Sequence, residues 1–505
     1  MSRINTNVAS LIAQRVLGNN NISLGNSLER LSTGLRINRG KDDPAGLIAS
    51  QALRAESRGI GQAIQNAERA DQVANIAEGG LQEVSGLLTE LQGLVTATAN
   101  TAGLSDAERQ ANQLQIDSIL QTIDRVASAT SFQGIKLLNG NFDYTVDNVD
   151  SDVAAFKVNA AKLTFNGTRD VEVQVTQSAQ VGALRLSLGG PLDLGGSGES
   201  FVIEIGGVGG SRELSFSSGA TLATITDTIN TFTDITGVSA SVSGTGIRLS
   251  SNEFGNNQFV SVRVVNDAGA NGDGVISYDA ENNFATGGAG SVTTAFTAAA
   301  NRITDRGQDL GATINGVNAT TNGKVARIST DFLDVELELS TAASQNLANV
   351  SAFRITGGGA DFQLAGNVDI GGKVAIGIGN VAAREIGRTS DSGQTYFLAN
   401  LGAGRELNAV DGDTSIAQKV IQNAISEVSA LRGRIGAFQQ NTVGATIRSL
   451  GVSLENTVAA ESIIRDADFA SETSLLTRSQ ILVSSATQVL SIANSQPQNA
   501  LQLLG

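Results

Sequence analysis

The 505-residue chain has no cysteine, no histidine and no tryptophan, with one methionine and three prolines. Without cysteine there are no disulfides, thiolate nucleophiles or cysteine-ligated metals. Without histidine the usual general base, the Ser-His-Asp triad and the histidine-bearing zinc motifs are gone. These two absences remove most catalytic designs, so the expectation is a protein that is not an enzyme, with no cofactor and no metal. Aromatic residues make up only 4% of the chain while glycine occurs 58 times, which predicts many turns and modest packing units. The first residues lack the basic and apolar regions of a secretory signal, and no apolar run approaches the length of a membrane span. The net charge of −15 and pI near 4.6 make nucleic acid and anionic membranes poor partners.

What the chain does have is helical periodicity at both ends. Steps of three and four reach Ile60, Ala63, Ala67, Ala70, Ala74, Ala77, Leu81, Val84, Leu88, Leu91 and Val95, all apolar, with charged and amide residues between them. A 3.5-residue apolar repeat held this long predicts a coiled-coil seam, because only supercoiling keeps such a stripe facing one partner. Ahead of it, Lys41-Asp42-Asp43-Pro44 predicts a helix break, with Asp43 as N-cap and Pro44 as first helical residue. Capping accounts for the two adjacent carboxylates without a metal or an acid–base pair. Residues 1–40 read as a weak helix: Leu24, Leu28, Leu31 and Leu35 share a face, but Gly18, Asn19, Asn20, Asn21 and Gly25 interrupt it. So few core residues do not hold a helix in water without neighbours.

After the long seam, Ser105-Asp-Ala-Glu108 is a capping box, and Ile116, Ile119, Ile123 and Val126 line a second helix that folds back on the first. From about Asn141 to Gly404 the period changes to two. Val171, Val173 and Val175 alternate with polar residues, as do Leu333, Val335, Leu337 and Leu339, which predicts antiparallel sheet with one wet face. A short helix at Leu222, Ile225 and Ile229 interrupts it, and Gly206 to Gly210 reads as a tight turn. Helical spacing returns at Thr414 with Ile421, Ala424, Val428, Leu431, Ile435 and Phe438. A last helix is expected from Thr473 to Asn494, with Leu476, Val483 and Leu490 seven apart and Pro497 just beyond as a stop. The fold class is α+β: a helical coiled-coil rod built from both chain ends, with β-rich modules inserted between them.

The residues at both ends resemble bacterial flagellin. The likeness is carried by Ile4 to Leu11 (INTNVASL), Ser27 to Asn38 (SLERLSTGLRIN), Lys41 to Gly46 (KDDPAG), Gln65 to Ala70 (QNAERA) and Ile123 to Val126 before Phe132-Gln-Gly134. At the far end it includes Asp466 to Glu472 (DADFASE), Ser479 to Leu482 (SQIL) and Gln496 to Asn499 (QPQN). In the middle, Phe216 through Ser250 looks like an insertion module that flagellins share with hook-associated proteins. The resemblance implies a subunit exported without a cleaved signal, which polymerises with itself into the extracellular helical filament of motility. It implies an inner coiled-coil segment from residues 1–43 and 455–505, disordered in the monomer, with Leu24, Leu28, Leu31, Leu35, Leu476, Val483 and Leu490 as assembly residues. It further implies a rod domain from 44–185 and 400–454, including a β-hairpin region, and a surface-exposed outer region from 186–399 in two modules. The rod seam is assigned to Ile60, Ala67, Ala74, Leu81, Leu88, Val95, Ile421, Val428, Leu431, Ile435 and Phe438. An export chaperone, the filament cap and hook-associated proteins are the partners the resemblance supplies. Rival readings are a hook–filament junction protein, a flagellin with a metallopeptidase insertion, which the lack of histidine opposes, and an adhesin, for which few aromatics are available.

One stretch departs from the family pattern. Flagellins sensed by the animal Toll-like receptor for flagellin carry Gln-Arg-Val-Arg-Glu-Leu where this chain has Thr89, Glu90, Leu91, Gln92, Gly93 and Leu94, and a glutamate of the next helix is here Gln115. Glu90 reverses the charge of an arginine anchor, and losing such an anchor costs about 2 kcal/mol or more before like-charge repulsion is added. The resemblance therefore implies poor sensing by that receptor. The monomer is expected to be a weak agonist in a reporter-cell titration, and exchanging residues 89–93 for Gln-Arg-Val-Arg-Glu to raise the response. Full potency of the unmodified monomer would refute this.

Overall fold

The computed structural model describes residues 6–100, 102–164, 167–194, 199–277, 292–391 and 394–502. They fall into two compact units, one from residues 1–78, 362–373 and 433–505, the other from 79–361 and 374–432. No helix among the described residues is long and apolar enough to cross a membrane.

In chain order the helices are α1 (Val8–Thr33), α2 (Pro44–Thr98), α3 (Asp106–Ala129), α4 (Leu222–Asn230), α5 (Thr233–Thr236), α6 (Thr341–Gln345), α7 (Thr414–Ala437), α8 (Gly444–Arg465) and α9 (Phe469–Gln502). A π-helical segment, Phe438–Val443, joins α7 to α8 without a break, so the expected boundary at 454/455 lies inside a helix. The wider turn places Phe438 and Val443, five apart, both in buried positions. Pro497 does not stop α9, which runs on to Gln502. A proline forfeits one intrahelical bond and crowds one carbonyl; here that carbonyl, on Ala493, accepts from the Asn7 side chain at 2.7 Å.

The larger unit holds the second part of α2, α3, most of α7 and the β-rich middle. Leu81, Leu88 and Val95 on α2 and Ile421, Val428 and Leu431 on α7 are all buried. The Ser105–Glu108 capping box is complete, and its hydrogen bonds from Ser105 hold the Glu108 carboxyl below its usual pKa. A Cβ on Gly80 would come within 2.6 Å of Thr130 Oγ1, just past the end of α3, so α3 returns antiparallel along α2. Polar residues of α3 then fasten the chain ahead of α7: Gln113 donates to Leu401 O and accepts from Ala409 N–H, and Asp124 accepts from Ala383 N–H.

The β-rich middle closes on two cores. In the first, one sheet runs Val317–Asn318, Gly311–Ile314, Arg169–Gln177, Asn349–Gly358, Tyr144–Asp147, and the other runs Thr320–Asn322, Val325–Ser329, Leu333–Leu339, Val153–Ala161. The alternation seen in sequence sends Val171, Val173, Val175, Leu333, Val335, Leu337 and Leu339 inward together. The second core is enclosed between residues 183 and 306. Its sheets run Val292–Thr294, Gly274–Ser277, Ala183–Ser187, Gly246–Ser251, Val238–Ser243 and Ile303–Arg306, Phe259–Asn266, Ser200–Gly207, Gly210–Ser217. Ile225 and Ile229 of α4 pack into it beside Phe201, Ile203 and Leu249. Gly207 pairs with Gly210, so the glycine cluster at 206–210 forms the hairpin turn.

This pairing corrects the expected domain division. A rod domain reaching residue 185 and an outer region starting at 186 would split the first sandwich, because strands within 144–177 pair with strands within 311–358. Cross-strand partners so distant in sequence leave no local trace of which strands share a sheet.

The second sandwich joins the first through a two-strand neck, beside which Phe254 packs on the first core and Asn256 N–H donates to Asp309 Oδ1. Gln180 and Gln308 exchange both backbone hydrogen bonds, at 2.8 and 2.9 Å, and the Gln308 amide donates to Ser178 O. Gly307 fits there only as glycine: an added Cβ would lie 2.5 Å from Gly255 O and 2.6 Å from Gln180 O. Removing residues 182–306 leaves Val181 and Gly307 as a two-residue turn closed by the Gln180–Gln308 pair. The shortened protein is expected to retain a cooperative melt and the helical and sheet signals of the remainder by circular dichroism. Loss of the cooperative transition would show that the two sandwiches fold only together.

Candidate assembly interface

The smaller unit brings the chain ends together. α1 and α9 run antiparallel, tied by Asn7 Nδ2 to Ala493 O at 2.7 Å, Ser10 Oγ to Asn494 Oδ1 at 2.6 Å, and Asn20 Nδ2 to Leu482 O at 3.3 Å. Arg30 lies 3.8 Å from the largely buried Glu472. The covered positions of α1 are Ser10, Ala13, Leu17, Asn20, Leu24, Ser27 and Leu31, spaced three-four throughout. Those of α9 are Glu472, Leu476, Ser479, Val483, Ala486, Leu490 and Ala493, spaced four-three throughout. Both are heptad seams, but their most deeply buried members are small or polar: Ser10, Ala13, Ser27, Ser479, Ala486 and Ala493. Small side chains let the two backbones approach closely.

The leucines assigned from sequence therefore divide. Leu24, Leu31, Leu476, Val483 and Leu490 are half-buried in the seam. Leu28 is 49% exposed, because the seam steps from Leu24 to Ser27 rather than to residue 28. Leu35 lies beyond α1, which ends at the left-handed Gly34, and bridges Asp466 instead. Sequence reading missed Ser10, Ala13, Asn20 and Ser27; their spacing was present, but serine and asparagine do not register as apolar.

Large apolar side chains lie outside the seam. Leu11, Ile12 and Ile22 of α1 and Ile481, Val489 and Ile492 of α9 are each more than half exposed. α8 goes further: none of its residues is buried, and Ile463 is 82% exposed. A solitary helix in this state is unstable in water.

Between the ends sits a clasp. Arg36 N–H donates to Arg465 O at 2.7 Å, its guanidinium to Ile464 O at 2.6 and 3.2 Å, and Ala467 N–H to Gly34 O at 2.9 Å. Asp42 accepts from the backbone N–H of Arg39 and Asn38, which lowers its pKa. Asp43 Oδ1 accepts from Gly46 N–H at 2.8 Å where α2 starts at Pro44. Both carboxylates accept from backbone donors, and Asp43 Oδ2 also lies 3.6 Å from the Arg36 guanidinium. The remaining seam residues of this unit, Ile60, Ala67, Ala74, Ile435 and Phe438, are buried. Here Gln439 donates to Asp71 Oδ1 and Asn75 Oδ1, and Phe438 stacks on Phe362 with ring centres 6.0 Å apart.

Three family descriptions match this architecture. The bacterial flagellin N-terminal helical region covers residues 4–143, the bacterial flagellin C-terminal helical region 418–504, and the flagellin hook IN motif 200–253. The flagellin of Salmonella choleraesuis is 28% identical over 99% of both chains. Flagellin B of Helicobacter pylori is likewise 28% identical over 99% of both. The chain belongs to the bacterial flagellin family. It is a structural subunit of the flagellar filament. The D2–D3 domains of the flagellar cap protein from Serratia marcescens are also similar, at 25% identity over 37% of this chain and 93% of that one, with a TM-score of 0.24. That superposition is too loose to carry an argument.

In this flagellin the patch that departs from the sensed pattern lies on the open side of α2 and α3. Thr89, Glu90 and Gln115 are exposed, Gln92 and Leu94 half-buried, and Leu91 between them is buried. Side-chain changes at 89 and 90 therefore leave packing untouched.

The clasp tolerates little at Gly46. A Cβ there would lie 2.4 Å from Asp43 Oδ2 and 2.7 Å from Ile37 Cδ1, and Asp43 cannot turn away without giving up the cap. Gly46→Val is expected to cost about 1–3 kcal/mol, read as a lowered melting temperature of assembled filaments. An unchanged melt would show the clasp to be loose.

Proposed function

We propose that copies of this chain polymerise with one another by covering the apolar faces that α1, α8 and α9 leave open. The observation that carries the reading is α8, a helix of 22 residues with none buried, joined through the clasp to an α1–α9 pair whose largest apolar side chains point away from its own seam. Burying one such leucine or isoleucine is worth about 1.5–3 kcal/mol. Several per subunit, repeated along a polymer, outweigh the cost of ordering the ends. The inner segment, residues 1–43 and 455–505, is on this reading disordered in the free monomer and ordered on assembly. The rod seam of α2 and α7 carries the contacts around it, and the outer modules project where insertions are tolerated.

The same reading supplies export without a cleaved signal, as an unfolded chain whose ends stay unstructured until they meet neighbours. A dedicated export chaperone, the filament cap and hook-associated proteins are the partners proposed for this flagellin. All of them would engage the open helical ends.

Removing residues 1–30 or 470–505 is expected to abolish polymerisation in electron micrographs. Circular dichroism should show the remainder soluble and folded, since both sandwich cores and the α2–α3 hairpin lie outside the deleted segments. Filaments of normal appearance from either truncation would overturn the proposal.

A further inference from the structure

Heptad seams of small residues fit nearly as well after sliding by seven positions; the clasp and the Arg30–Glu472 pair oppose such a slide at one end, and packing alone defines the α1–α9 alignment poorly at the other. We propose that Asn7 and Pro497 together form a register lock, in which the amide of one chain end reads a carbonyl left open by the proline at the other. The inference rests on the reading that α1 and α9 pair in the filament.

In an α-helix each carbonyl accepts from the N–H four residues on. Among the carbonyls of α9 from Phe469 to Ala493, only that of Ala493 faces a proline at that distance, and proline has no N–H. Ala493 is 6% exposed, so water is a poor substitute there. Asn7 Nδ2 donates to this carbonyl at 2.7 Å, while Asn7 Oδ1 accepts from Ser10 N–H at 3.0 Å and so caps α1. One amide thus closes the start of one helix and the defect in the other. Ser10 Oγ, donating to Asn494 Oδ1, holds the next position. A slide of seven residues would bring Asn7 to the level of Ala486, whose carbonyl has Leu490 N–H as its intrahelical donor, and would leave the Ala493 carbonyl unpaired. Asn20, at the seam and bonded to Leu482 O, already has to share its carbonyl with a helical donor and discriminates less.

Two substitutions separate these roles. Asn7→Ser keeps a good cap but is too short to reach Ala493; Pro497→Ala gives the Ala493 carbonyl its own donor. Critical concentration for growth on wild-type seeds is measured for both and for the double variant. N7S is expected to raise it about tenfold, the scale of one unmade buried hydrogen bond, and to have no effect in the P497A background. The chain has no cysteine, so register is read directly by disulfide trapping in filaments. The pair L24C with L476C reports the alignment seen here, and L17C with L476C reports the slipped one. Native filaments should trap only the first, while N7S and P497A filaments trap both.

Failure of the first pair in otherwise native filaments would sink the reading that α1 and α9 pair on assembly. If the first pair forms but N7S and P497A trap it alone, with unchanged critical concentrations, the lock itself is wrong. Should N7S fail to grow at all, growth restored by adding P497A supports the lock and growth not restored overturns it.

Discussion

The structure depends on a contact between residues more than four hundred positions apart. Arg36 bonds Arg465 and Ile464 through backbone and guanidinium, and Gly34 accepts from Ala467. This clasp fixes the exit of α1 against the turn between α8 and α9, and hence makes a pair of the two helices. Because α1 and α9 have too few large core residues to fold separately, they persist as a pair or not at all. The β-rich middle can vary in size provided the helices that flank it still return to the clasp.

The two ends divide labour by side-chain size. Serine, alanine and a few half-buried leucines face inward, where close approach of backbones matters, and the larger isoleucines and leucines face outward. In a monomeric protein the reverse would be expected, since the largest apolar surface is the most costly to leave in water. α8, with no buried residue, extends the same logic along the chain. The arrangement is the one expected if, as proposed, neighbouring copies cover these faces.

How far the fold could be read in advance followed from the range of the forces involved. The stripe from Ile60 to Val95 was legible because a long apolar repeat has one structural solution, and the cap at Ser105–Glu108 because it is settled within four residues. Period-two alternation showed that 169–177 and 333–339 were strands, but which strands share a sheet depends on partners far away, so the division at 185/186 fell inside a sandwich. The seam of α1 was obscured because Ser10, Asn20 and Ser27 occupy it. Pro497 was read as a stop because a local rule takes no account of Asn7 filling the gap it leaves.

The neck at Gln180 and Gln308 has a mechanical meaning as well as a topological one. Both strands leave the first sandwich side by side, so viscous drag on the second sandwich pulls on both in the same direction. Tension then runs along two covalent backbones, and the hydrogen bonds between them resist twist instead of carrying the load. If the second sandwich projects outward as proposed, a flap held in this way would bear shear from a moving fluid without the neck bonds being stressed in the direction in which they unzip.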